Sequence, residues 1–193
     1  MALHTPNPED QRKLHAEINQ IINQRFLLTT LAVTVFGIIA AWLLPKERPQ
    51  PGASVGLFTY AGSILLMTLL FVLFFFLHRL RAMSKTLAAY LILTKQSIWE
   101  EEWKKYRKDP YFGYTELQAV VFLILGVLAV AIPFFLCLGF SLKLDPIGGA
   151  AATGAVGIIY MVLVAGMAFR NWFYKKEAAW ERWKQQLGVA ADD

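Results

Sequence analysis

Four long stretches of almost uninterrupted apolar residues, separated by polar ones, set the plan of this chain. They cover roughly 26–44, 55–77, 117–140 and 147–169, and none holds a Lys, Arg, Asp, Glu or His. Each is close to the ~20 residues that an α-helix needs to cross the hydrocarbon core of a bilayer. The gap after the first stretch carries Pro45, Pro49, Pro51 and Gly52, and the gap after the third carries Asp145 and Pro146. Such residues end helices and turn the chain sharply. The pattern predicts an all-α, polytopic membrane protein with four transmembrane helices in two hairpins and helical extensions outside the bilayer.

The polar segments have helical periodicity of their own. Asn7 is placed to cap a helix whose first turn is Pro8, Glu9 and Asp10, with Pro where its missing N–H costs nothing and acids at the positive end of the dipole. Leu14, Ile18, Ile21 and Ile22 then share a face, so the leader is an amphipathic helix running straight into the first span. With Glu9, Asp10 and Glu17 in a polar leader of about 25 residues, it is unlike the short basic start of a secretory signal. No Gly or Pro occurs from Ile64 to Asp109, so nothing stops the second helix at the membrane surface. Leu80, Leu87, Leu91 and Ile98 give its continuation an apolar stripe, and Glu100 with Lys104 and Glu101 with Lys105 sit at ion-pair spacing. The tail has no breaker from Trp172 to Gln186. These boundaries divide the chain into a leader helix (1–25), a first hairpin (26–77), a helical extension and loop (78–116), a second hairpin (117–169) and a C-terminal helix and tail (170–193).

Charge then orients the helices. Of the 19 Lys and Arg, sixteen lie in the leader, the central extension and the tail, and only Lys46, Arg48 and Lys143 lie in the two short turns. Basic flanks are retained in the cytoplasm, which predicts both termini and the central extension inside and a multi-pass location in the cell's inner (plasma) membrane. The same bias accounts for most of the net charge of +5 without nucleic acid as a partner, while basic residues beside lipid attract anionic headgroups. A 56% hydrophobic composition is more than a water-soluble core of 193 residues requires. Cys137 is the only cysteine, so one chain forms no internal disulfide or thiolate cluster.

Three groups of residues are candidates for function. The fourth span is rich in small residues, and Ala150 with Gly154, and Thr153 with Gly157, fit the small-xxx-small spacing at which helix backbones approach closely. That face packs within one monomer, or it meets another subunit or lines a narrow path. Asn19 and Asn23, with Gln20 and Gln24, form an amide run at the entrance to the first span, suited to a pore ring or to bonds between helices and equally to a solvated helix surface. Trp42, Trp99, Trp103, Trp172, Trp180 and Trp183 are candidate membrane-interface anchors. The echo of 99–104 in 180–184 points either to a duplicated unit or to convergence on one membrane surface. Phe71, Phe74, Phe75 and Phe76 make the second span bulky towards its extension, and Pro133 is a candidate kink in the third.

Enzymatic motifs are missing. No ionisable residue lies at membrane depth as proton-coupled transporters require, and no phosphate loop or metalloprotease box occurs. His4 and His15 lie in the leader and His78 at headgroup level beside Arg79, so no haem, metal or other cofactor is expected. Ser63 and Cys137 lack a base within a span and read as packing residues. The expectation is a non-enzymatic membrane subunit that assembles with itself or with other membrane proteins. A homo-oligomeric pore or permeabilising effector is the first alternative, and a membrane enzyme or cofactor-binding subunit the second.

Overall fold

The computed structural model describes residues 8–47, 49–50, 53–93, 114–140, 142–143, 148–170 and 181–185. Four long helices make up most of them: α1 (Pro8–Leu43), α2 (Leu57–Leu93), α3 (Tyr114–Phe140) and α4 (Gly149–Arg170). All four are long and apolar enough to cross a membrane, so the chain is an all-helical, multi-pass membrane protein. Among the described residues the only extended pairing is an isolated bridge between Ser54 and Lys143.

Length alone shows that two of the helices overrun the bilayer. At 1.5 Å per residue, the 36 residues of α1 and the 37 of α2 each reach about 55 Å, against about 30 Å of hydrocarbon. The leader and the first span are thus one helix, as the apolar face running into the span predicts, and α2 continues past the end of its apolar run at residue 77. The extension beyond residue 93, with Ile98 and the Glu–Lys pairs, lies outside the described residues. Lys13 and Glu9 form an exposed ion pair at 3.2 Å in the first turns of α1, a contribution of at most about 1 kcal/mol.

α2 is the central helix, in contact with all three others, whereas α1 packs mainly on α2, less on α3, and has no contact with α4. Hence α1 keeps Phe26, Leu27, Leu31, Val33 and Ile38 exposed. In lipid that exposure is cheap, because helices there gain little by hiding apolar surface from one another; close packing and hydrogen bonds hold them together. The core is accordingly a layer of well-matched side chains from α2, α3 and α4. Phe74 stacks against Phe122 with ring centroids 5.1 Å apart, flanked by Leu70, Leu77, Val164 and Met167. Phe76, by contrast, is exposed, so the phenylalanine-rich half of α2 both fills the bundle and faces outward. Pro133 is buried inside α3, which continues through it as helix.

Glycines set the approach of these helices. A Cβ on Gly126 of α3 would overlap the Tyr160 ring of α4, one on Gly157 of α4 would overlap Val130 of α3, and one on Gly149 would overlap the Tyr60 ring of α2. Tyr160 lies in the slot over Gly126 and donates its hydroxyl to the Phe122 carbonyl at 2.7 Å, so a buried polar group is satisfied across the helix pair. Threonine hydroxyls at 29, 30, 34, 68, 86 and 153 bond to the carbonyl four residues earlier, the self-contained solution that a dry environment favours.

One end of the bundle is closed by backbone. Val55 N–H donates to the Lys143 carbonyl at 2.9 Å, and Lys143 N–H donates to the Ala53 carbonyl at 2.7 Å. The connection after α1 and the connection after α3 therefore meet. Beside them Leu43 fills the notch left by Gly62, and Trp42 meets Phe58 edge-on at 5.0 Å.

Candidate functional site

The polar chemistry gathers at the opposite end of the helices, where three apolar runs begin or end. Arg25 immediately precedes the apolar run of α1, His78 immediately follows that of α2, and Gln118 is the second residue of that of α3. All three side chains turn inward: Arg25 is 8%, His78 2% and Gln118 2% exposed. Arg25 continues the leader's buried stripe, since it lies four residues after buried Ile21 and seven before fully buried Ala32.

A closed set of hydrogen bonds joins α1 to α3 here. The Arg25 guanidinium (Nη2) donates to Gln118 Oε1 at 2.8 Å, and Gln118 Nε2 donates to Thr29 Oγ1 at 2.9 Å. Thr29 Oγ1 donates in turn to the Arg25 carbonyl at 3.0 Å, which Gln118 Nε2 also approaches at 3.5 Å. A charged donor in a buried bond of this kind contributes about 1.5–3 kcal/mol. Near Arg25, α2 buries His78 and, one turn on, Arg81, itself only 8% exposed. Arg81, Lys85 and Arg25 are all near enough to act electrostatically on the His78 imidazole, whose ring lies tilted 6.2 Å from Phe74. Cations from two helices, an imidazole and an amide from a third thus gather at one buried junction. The sequence sets His78 at headgroup level beside Arg79; the fold turns the imidazole into the bundle and leaves Arg79 outside.

Farther along α2, the short helical segment 181–185 packs on its extension. Trp183 donates its indole N–H to the Thr86 carbonyl at 3.1 Å and lies 4.8 Å from the Tyr90 ring, with Lys184 and Glu181 paired at 3.6 Å alongside. Trp183 is therefore held by α2 itself. Trp42 is 62% exposed at the closed end of the bundle. Trp99, Trp103, Trp172 and Trp180 lie outside the described residues.

The small residues of α4 divide between two faces. Thr153 is fully buried and Gly157 is buried against Val130, so both serve packing within the chain. Ala150 and Gly154 are partly exposed, and a Cβ on Gly154 would meet nothing within 4 Å. Asn19 and Asn23 are exposed on α1, away from the other helices. Ser63 is fully buried in α2 with no hydrogen-bond partner for its hydroxyl among the described residues. Among the described residues, no three His, Cys, Asp or Glu side chains gather where they could hold a metal.

The inward turn of Arg25, Arg81 and Gln118 was the main feature hidden in the sequence. One signal for it exists: Arg25 occupies the next position of the stripe that runs through Leu14, Ile18 and Ile21. No family model matches the chain, and neither a curated protein nor a solved structure is detectably similar to it.

Proposed function

We propose that this chain is a non-enzymatic subunit of the inner membrane, inserted as two helical hairpins with both termini in the cytoplasm, that assembles with copies of itself or with other membrane proteins through α4. The observation that carries the reading is the free half of the small-residue face. Gly154 borders open space, and Ala151, Ala155, Ile158 and Val162 on the same side of α4 are exposed. Small residues at this spacing allow a second helix to come close enough for backbone-to-backbone packing, the main source of association in lipid. The orientation rests on the sixteen basic residues outside the short turns, against three within them. It is supported by the meeting of Ala53 and Val55 with Lys143, which sets both turns at one end.

The test of assembly is the mass of the protein extracted gently from its native membrane, with co-purifying chains identified. A discrete oligomer or a stoichiometric complex is expected; a monomer with no partner under all extraction conditions contradicts the proposal. Topology has its own test. Reporter fusions at residues 50 and 144 are expected outside and one at residue 105 inside, and any other pattern overturns the orientation.

A homo-oligomeric pore is the second reading, and exposed Asn19 and Asn23 favour it. In a ring of copies these amides turn towards a shared axis and line it. Ion flux in liposomes separates the readings: an oligomer that leaves liposomes tight to small ions removes the pore and leaves the assembly.

A further inference from the structure

We propose that the C-terminal segment 181–185 is a reversible strap on the part of α2 that runs past its apolar stretch. Seated as it is here, it withholds the face around Thr86 and Tyr90 from any other helix, and it opens without disturbing the membrane bundle. The strap is independent of assembly through α4, since the contacts of Trp183 are made on α2.

Thr86 stands nine residues beyond Leu77, where the apolar run of α2 ends, or about 13 Å farther along the helix axis. A helix standing alone there has no cover on any side. Yet between residues 80 and 91 only Met83 is exposed, and Leu91 is fully buried. The chain itself therefore covers the extension. One side is covered by α1, which runs antiparallel to α2, with Leu43 against Gly62 at one end and Arg25 near His78 at the other. The same register carries half-buried Ile18 and Leu14 alongside the extension. Trp183 covers another side, with its indole N–H donated to the Thr86 carbonyl at 3.1 Å and its ring 4.8 Å from that of Tyr90.

Two features make this contact a strap and not a piece of the core. Glu181, Arg182 and Gln185 are exposed, and Lys184 pairs with Glu181 inside the segment, so the hold on α2 centres on Trp183. The Thr86 carbonyl, moreover, lies within α2, where it accepts the N–H of Tyr90 four residues on. It keeps that partner when the indole leaves, and the indole N–H, this far past the apolar run, finds water. Opening thus leaves no buried polar group unsatisfied, which is the usual large cost of breaking such a bond. The bundle core of Phe74, Phe122, Leu70 and Val164 takes no part in the contact.

The experiment is hydrogen exchange of the full chain in lipid nanodiscs, read by mass spectrometry in peptides covering 82–93 and 57–77. Trp183→Ala removes both the ring contact and the bond and is expected to speed exchange in 82–93 about tenfold, with 57–77 unchanged. Trp183→Phe keeps a ring and loses the N–H, and a smaller, severalfold rise is expected. A photo-crosslinking residue at position 90 is expected to join the 181–185 segment of its own chain in wild type and to lose that adduct in Trp183→Ala. Unchanged exchange in 82–93 overturns the strap. Faster exchange throughout 57–77, or a Trp183→Ala protein that does not fold, also overturns it, because the segment would then belong to the cooperative core.

Discussion

Gly154 and Gly157 stand three residues apart in one helix and do different work. Gly157 faces α3 so closely that a Cβ would overlap Val130, and it continues a buried row through Thr153, Tyr160, Val164 and Met167. Gly154 borders empty space, beside a row of exposed residues, Ala151, Ala155, Ile158 and Val162. The first row holds the monomer together; the second has nothing against it among the described residues. A run of small residues therefore marks two close approaches, and only the partner already in place tells them apart.

The largest expected effect breaks the inner face. Gly157→Leu puts a branched side chain where Val130 already lies, and overpacking of this kind is expected to destabilise the monomer by about 3 kcal/mol, read as a lower melting temperature of the helical signal in detergent. Gly126→Ala fills the slot that holds the Tyr160 ring and is expected to cost about 2 kcal/mol by the same measurement. Tyr160→Phe removes only the bond to the Phe122 carbonyl. The expected loss is about 0.6 kcal/mol, typical of an interhelical hydrogen bond in a membrane protein. The smallest effect on the monomer sharpens the contrast: Gly154→Leu is expected to change its stability by less than about 0.5 kcal/mol and yet to weaken association in size-exclusion chromatography. A Gly154→Leu protein that melts early but assembles normally would exchange the roles assigned to the two faces.

The long-range plan was legible because it depends on length and polarity alone. An apolar run of about twenty residues without charge has few alternatives in a chain this hydrophobic, and the absence of Gly and Pro after Ile64 is why α2 passes its apolar end unbroken. The direction in which each face points was not legible. Thr153, Gly154 and Gly157 differ too little in polarity for periodicity to separate inside from outside, especially in lipid, where an exposed apolar residue carries no penalty. Arg25 and Gln118 were hidden for a different reason. Each stands at the edge of an apolar run, where a polar residue reads as the boundary of the span, and only their bond at 2.8 Å shows that α1 and α3 close on each other there. Tyr160 belongs to the same class, because the slot that receives it is made by Gly126 on another helix.

What covers the exposed face of α4 decides whether the chain assembles through it. A photo-crosslinking residue placed at position 155 and activated in native membranes reads this directly. The expected result is a discrete protein adduct, either at twice the mass of this chain or with one defined partner. Labelling of lipid alone from position 155 would contradict it and leave the chain a monomer whose small-residue face merely borders the bilayer.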